Sequence, residues 1–335
     1  MNEMSRSPRR LLALATTLAL AVTVAACSNG DGSGDVPDVP GQDGRVEALA
    51  SFYPLQYVTE QVGGEHVTVA SLTPQGAEPH DVELAPRDVA QLGTADLVVY
   101  LNGFQPSVDE AVGQSAPAHV VDAAAHADLA AAAEERHDGE DGNGQGHEHE
   151  HEHEHGHEHE HGARGADPHF WLDPARLAAV AGEVAGELAN IDPDNAADYA
   201  ANAERLSAEL TALDDAFRTG LATCEIRTVV VSHEAYGYLA DAYDLHQVGI
   251  AGLDPEAEPS PARLAEIADV VRAENVSTIF AETLVNPKVA ETLAADLGVT
   301  TAVLDPVEGL VDPAKDYQQV MRQNLTALQE ALRCA

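Results

Sequence analysis

The histidines are the residues of this sequence whose type and spacing most clearly predict chemistry. The chain has 335 residues and 16 His, and eight of these occupy every second position of HEHEHEHEHGHEHEH with six Glu between them. Neutral imidazole is a common transition-metal ligand, and the interleaved carboxylates attract cations. We expect this low-complexity segment to collect several metal ions weakly and to exchange them fast. The eight are His147, His149, His151, His153, His155, His157, His159 and His161.

Three other histidines lie at the ends of predicted elements. His80 follows the predicted strand HVTVASL, His169 precedes a predicted helix in DPHFWLDP, and His233 ends the apolar strand of IRTVVVSHEAYGYLA. In open parallel sheets, ligands bind outside the carboxyl ends of the strands. A single histidine is more often structural, but three at equivalent positions predict one shared metal site.

A tetrahedral metal site needs a fourth ligand, which we expect to be an oxygen. Asp305 in VTTAVLDPVEG ends the last predicted strand, the same kind of position as that of His233. Glu282 in IFAET ends the preceding strand and is the competitor, and Glu78 lies beside His80 as a ligand or a partner of one. Spacing alone ranks Asp305 slightly above Glu282. Three imidazoles and a carboxylate suit Zn²⁺ better than Mn²⁺, which prefers oxygen.

Short β-rich runs alternate with helical stretches from Arg45 onward, which predicts an α/β fold with parallel sheets. A tract rich in Ala, Gly, His and acidic residues interrupts the pattern and is too polar to order itself. A later run of some 30 residues without internal Pro predicts one long helix between two α/β lobes, with the site in the cleft between them. The predicted divisions are an N-terminal lobe at 45–192 with the irregular tract at about 130–166, a linking helix at 193–221 and a C-terminal lobe at 222–335.

The first 26 residues have the layout of an export signal, with arginines followed by the apolar run LLALATTLALAVTV. The string VAAC, followed by a polar Gly/Asp/Pro stretch, is typical of a bacterial lipoprotein cleavage site. The sequence therefore predicts a signal peptide at 1–26, lipidation at Cys27 and a flexible tether at 27–44. An ordinary secreted protein is the alternative. We expect the mature chain to be anchored to the outer face of the cell membrane.

Cys224 and Cys334 are the two remaining cysteines, an even pair in an oxidising compartment. We expect a disulfide that joins the C-terminal helix to a central strand. Two free buried thiols are the alternative, and a catalytic cysteine is less favoured than either.

The charge balance argues against nucleic acid as a partner. The chain has 57 Asp and Glu against 17 Lys and Arg, a net charge of −40. Binding nucleic acid needs clustered positive charge.

Several motifs together resemble the zinc-binding substrate-binding lipoproteins of bacterial ABC metal importers. They are ASFYPLQYVTEQVGGEHVTVASLTPQGAEPHDVELAP, ADLVVYLNG, DPHFWLDP, VVVSHEAYGYLA, IFAETLVNPKVAETLA and the terminal LDPVEGL, in that order from about Arg45 to the C-terminus. The resemblance implies two α/β lobes joined by a long backbone helix, with the metal between them. It places the family's ligands on His80, His169, His233 and Asp305. It also implies a cognate permease and ATPase.

The predicted function is an extracytoplasmic receptor, a monomer and not an enzyme, that delivers Zn²⁺ to an importer. Three alternatives use the same fold: a manganese receptor, a surface adhesin and a zinc-storage protein. A zinc hydrolase is less favoured, since it needs an open coordination position and a general base, and the sequence has no HExxH motif.

Overall fold

Two four-stranded parallel sheets form the framework of the molecule, as the sequence predicts. The computed structural model describes residues 44–129 and 166–335. The first sheet has the strand order β2-β1-β3-β4 and the second the order β6-β5-β7-β8. The predicted signal peptide, Cys27 and the His/Glu repeat of residues 147–161 lie outside the described residues.

The first sheet is built around β1, whose VEALA sequence is apolar and buried at every position except the half-buried Glu47, as expected for a strand covered on both faces. In the register, Ala50 of β1 lies opposite Ser71 of β2 and Val99 of β3. The strands are β1 Val46–Ala50, β2 Val67–Ser71, β3 Leu97–Tyr100 and β4 Val120–Asp122, and the helices between them are α1 Tyr53–Gly63, α2 Pro86–Leu92 and α3 Pro106–Ser115.

The second sheet repeats this topology around β5, whose four residues are all buried. The strands are β5 Thr228–Val231, β6 His246–Gly249, β7 Thr278–Ala281 and β8 Thr300–Val303, with the helices α6 Gly237–Ala242, α7 Pro261–Ala273, α8 Lys288–Leu297 and α9 Tyr317–Leu332.

Two long helices connect the sheets. Helix α4, Pro174–Ile191, starts at Asp173, whose carboxylate accepts a hydrogen bond from the amide of Ala175. Helix α5, Ala196–Gly220, has 25 residues and is about 37 Å long at 1.5 Å per residue. The predicted long helix is therefore present, but it begins later than residue 193, because residues 193–195 form a 3-10 turn. The exact lobe boundaries stay a prediction.

Several aromatic residues pack beside His80 and His169. Trp171 is fully buried, and its ring lies 4.8 Å from that of Phe52, 5.6 Å from that of Phe104 and 5.2 Å from that of His169, centroid to centroid. This cluster forms a rigid apolar wall for the site. Among the described helices, none is both long and apolar enough to cross a bilayer.

The predicted disulfide between Cys224 and Cys334 is confirmed. It lies just after α9 and joins the end of that helix to the segment that leads into β5. The amide of Ile226 also donates a hydrogen bond to the carbonyl of Leu332 across the same junction. The bridge therefore closes a loop that contains the whole second sheet.

Removing the bridge should destabilise the protein strongly. The two cysteines are 110 residues apart, and on the chain-entropy model closing such a loop contributes about 4–5 kcal/mol to the free energy of unfolding. We expect Cys224→Ser/Cys334→Ser to lower the urea midpoint accordingly. Urea unfolding of the oxidised wild type and of the double variant measures this, and equal midpoints would contradict it.

Candidate metal centre

Four side chains from four separate segments converge on one point. Each of His80, His169, His233 and Glu308 offers one ligand atom, and these atoms all lie within 4.8 Å of one another. In the described part of the chain, no other group of three or more His, Cys, Asp or Glu side chains meets this condition. The three predicted histidines are thus brought together.

Five of the six distances between the donor atoms match a tetrahedral zinc site. Glu308 Oε1 lies 3.4, 3.1 and 3.3 Å from the Nε2 atoms of His80, His169 and His233. The Nε2 atom of His169 lies 3.4 Å from those of both His80 and His233. A tetrahedron with bonds of about 2.0–2.1 Å has edges of about 3.3–3.4 Å. The donors therefore surround a space of the size of Zn²⁺.

His169 is oriented by the residue two positions before it. Asp167 Oδ1 accepts hydrogen bonds from the backbone amide of His169 at 2.9 Å and from its Nδ1 at 2.8 Å. A side chain at residue 237 would collide with this carboxylate, since a Cβ built on Gly237 comes within 2.6 Å of Asp167 Oδ2. With a proton held on Nδ1, the Nε2 lone pair of His169 faces the centre.

His233 is oriented in the same way from the neighbouring strand. It lies just beyond β5, and its Nδ1 is 2.7 Å from Glu282 Oε1, which also accepts from the His233 amide at 3.2 Å. Glu282 follows β7 and is buried. The sequence-based competitor for the fourth ligand is therefore a hydrogen-bond partner of His233 and not a member of the donor group.

His80 lies on the segment between β2 and α2 and is the most accessible of the three imidazoles. Its side chain is 13% exposed, whereas those of His169 and His233 are fully buried. Glu78 Oε1 accepts a hydrogen bond from the His80 amide and is 3.9 Å from the His80 Nε2 atom. Glu78 thus lies next to the group without belonging to it, and the His80 side of the group is the more exposed one.

Glu308 takes the position that sequence reasoning assigned to Asp305. It lies five residues beyond β8 and is almost fully buried. The chain is steered inward by two hydrogen bonds to backbone carbonyls, from the Trp171 indole to Pro306 at 2.8 Å and from the Tyr236 hydroxyl to Leu304 at 2.8 Å. The signal that could have identified Glu308 is the second acidic residue of DPVEG.

Asp305 is therefore corrected from a donor to a residue that shapes the turn. Its carboxylate accepts hydrogen bonds from the Val307 amide at 2.8 Å and from the Thr283 hydroxyl at 3.0 Å. The side chain of Asn324 binds both the amide and the carbonyl of Asp305. These bonds fix Asp305 at the strand end, and the turn that they form carries the next carboxylate into the centre.

The donors polarise one another strongly. Burial opposes charge on His233, but its hydrogen bonds to Glu282 and Glu308 outweigh this effect and raise its pKa to about 10. The pKa of His169 is raised as well, because the carboxylates of Asp167 and Glu308 outweigh its burial. In return, the three imidazoles hold the pKa of Glu308 well below its usual range despite burial. A metal-free centre consequently holds protons at neutral pH.

Replacing the two candidate carboxylates separately should show which one is the ligand. Glu308→Ala removes an oxygen donor, and we expect zinc affinity to fall more than about 100-fold, beyond the range of about 10–100-fold typical of residues outside the coordination shell. Asp305→Ala disturbs only the turn and should stay within that range. Competition with a zinc chelator measures both, and a larger loss for Asp305→Ala would refute the assignment.

Zinc binding should release protons, and the affinity should fall as the pH falls. The raised pKa of His233 means that this imidazole is protonated at neutral pH, so that Zn²⁺ must displace its proton, and more so in acid. The raised pKa of His169 acts in the same direction. Calorimetric titration in two buffers of different ionisation heat measures the number released. His233→Ala should release fewer protons, and equal heats for the wild type in both buffers would contradict the prediction.

Comparison with known proteins agrees with this chemistry. Residues 49–331 match the family model of ZnuA, zinc-uptake complex component A, periplasmic. The chain is 36% identical over 317 residues to the high-affinity zinc uptake system protein ZnuA of Bacillus subtilis (strain 168), with 92% of this chain and 93% of that protein covered.

Two solved structures extend the comparison. The Zn(II)-bound crystal structure of AdcA from Streptococcus pneumoniae superimposes with a TM-score of 0.69 at 30% identity over 86% of this chain, which spans only 58% of that protein. The second is the laminin-binding protein Lmb of Streptococcus agalactiae, which is described as a bifunctional protein with adhesin and metal transporting activity. It superimposes with a TM-score of 0.72 at 30% identity, covering 86% of this chain and 99% of that one. With most of its length matched by the family model, the chain belongs to the ZnuA family of periplasmic zinc-uptake components.

Proposed function

We propose that this protein is the extracytoplasmic receptor that captures Zn²⁺ and delivers it to an ABC importer. The zinc ion is the cargo, held by His80, His169, His233 and Glu308. The observation that carries the proposal is the convergence of four donors from both sheets, three of them buried, at distances that fit a tetrahedral site. Three neutral nitrogens with one carboxylate are a donor set that favours Zn²⁺ over Mn²⁺.

The closed donor set argues against a hydrolase. A catalytic zinc site keeps one position open for water, with a general base nearby. Here Glu308 Oε1 is within 3.1–3.4 Å of all three imidazoles and so fills the fourth position. Its lowered pKa makes it a poor base at neutral pH and a good anionic ligand.

The remaining assignments rest on the sequence and on the family. The export signal and the VAAC string at Cys27 support a lipid anchor on the outer face of the membrane. The partners would be a permease and its ATPase, with the receptor acting as a monomer. The His/Glu repeat of residues 147–161 would raise the local zinc concentration near the centre.

A surface adhesin is the second candidate, because the structurally similar Lmb is described as both adhesin and metal transporter. The two functions predict different effects of losing the importer. If zinc delivery is the function, loss of the cognate permease mimics loss of this protein. An adhesin or a zinc store predicts no such match.

The His/Glu repeat and the metal centre should be separable. Deleting 137–161 removes weak ligands only, so we expect one tight zinc site per chain to remain while the weak sites disappear. Zinc titration calorimetry of the chelator-stripped protein measures this. Loss of tight binding after the deletion would mean that the repeat is the real metal site.

Growth under zinc limitation tests the proposal in the cell. Deletion of the gene should impair growth in chelated medium, and added zinc should restore it. An allele with His233→Ala should fail to restore growth, whereas an allele with His246→Ala, an exposed histidine on β6 outside the centre, should succeed. Rescue by the His233→Ala allele, or normal growth of the deletion strain, would refute the receptor function.

A further inference from the structure

We propose that Gln105 is a positioning residue that holds the His80 imidazole in the metal centre, an inference that rests on the proposed zinc-binding function. His80 lies in the fourteen-residue segment between β2 and α2, residues 72–85. Only its first two residues, Leu72 and Thr73, bond to the sheet through their backbone amides, and the turn bonds that follow do not by themselves define where a ligand lies. Something outside the segment has to fix its path.

The other two imidazoles are oriented by carboxylates that bind the ring, and His80 differs from them in this respect. Asp167 and Glu282 each accept a hydrogen bond from the Nδ1 of their histidine. For His80, the carboxylate of Glu78 instead accepts from the backbone amide. The His80 ring packs edge-on against Phe104, with the centroids 4.7 Å apart and the planes at 78°. Its position therefore depends on the backbone of the segment and on residues 104–105.

Gln105 reaches the segment beside His80 itself. It lies at the start of α3 and is 1% exposed. Its Nε2 donates to the carbonyl of Pro79, the residue before His80, at 3.1 Å and to the Thr73 hydroxyl at 2.9 Å. A carbonyl oxygen only accepts hydrogen bonds, so the Pro79 contact requires the amide nitrogen of Gln105 at this place.

These bonds fasten the segment to the rigid sheet. The Thr73 hydroxyl in turn donates a hydrogen bond to the carbonyl of Ser51, just after β1, at 2.7 Å. Beyond His80, the hydroxyl of Ser107 donates to the Val82 carbonyl at 2.5 Å. The segment is thus held on both sides of His80 by the first turn of α3, with Gln105 at the nearer contact.

The local energetics favour a role in the site over a role in folding. Gln105 occupies the N-cap position of α3, yet its side chain makes no capping bond. Its Oε1 is buried and has no hydrogen-bond partner among the described residues. Burying an unpaired amide oxygen is unfavourable, and an apolar residue of the same shape avoids that cost. What such a residue cannot do is donate to Pro79.

Gln105→Met tests the inference because Met has a similar length and shape but no donor. We expect zinc affinity to fall about 10–100-fold, the range for partners that orient a ligand, with the thermal midpoint of the metal-free protein nearly unchanged. The d–d absorption of bound Co²⁺ reports coordination geometry. In Gln105→Met it should shift toward the spectrum of His80→Ala.

Gln114→Met on the exposed face of the same helix is the matched control, and it should keep wild-type affinity and spectrum. If Gln105→Met also keeps both, the positioning role is refuted. If Gln105→Met does not fold, Thr73→Val, which removes the link to the sheet, decides by the same two readouts. Failure of the wild type itself to give a tetrahedral Co²⁺ spectrum would instead refute the proposed zinc site.

Discussion

The structure depends on one electrostatic constraint, the placement of four donor atoms around a largely buried point, with five of the distances between these atoms at 3.1–3.4 Å. Burying three imidazoles and a carboxylate together is costly unless each stabilises the charge of the others or a cation joins them. The raised pKa values of His169 and His233 and the lowered pKa of Glu308 express this mutual dependence. Without metal, protons on the imidazoles balance the charge of the carboxylate. Zn²⁺ can replace them because it binds four donors in a tetrahedron.

The fold meets this constraint by using both sheets. His80 comes from the first sheet's side of the molecule, while His233 and Glu308 follow strands of the second sheet, where parallel strands direct their carboxyl ends to one edge. Trp171 links the residues from the two sheets. Its ring lies beside His169, and its indole nitrogen donates a hydrogen bond to the turn that carries Glu308. A donor set divided in this way is complete only when the framework is folded.

Outer partners then determine how each donor points. Asp167 and Glu282 hold two imidazoles by a direct hydrogen bond to the ring. His80 is held indirectly, by its ring contact with Phe104 and by the hydrogen bonds of Gln105 to its segment. The difference gives the centre two buried imidazoles and one more accessible imidazole, which suits a protein that has to take up and release its ion.

Much of this protein follows from local sequence pattern. The alternation of strands and helices, the long helix, the disulfide partners and the three histidines at element ends were all predictable, because periodicity and position relative to a strand are local properties. The choice between Asp305 and Glu308 was not. Both are acidic residues after the same strand, and only the tertiary hydrogen bonds from Thr283, Asn324 and Trp171 decide that the first shapes a turn and the second enters the centre. Sequence determined which chemistry was available, whereas the packed structure decided which carboxylate joins the three imidazoles, because that choice depends on hydrogen bonds between residues far apart in the chain.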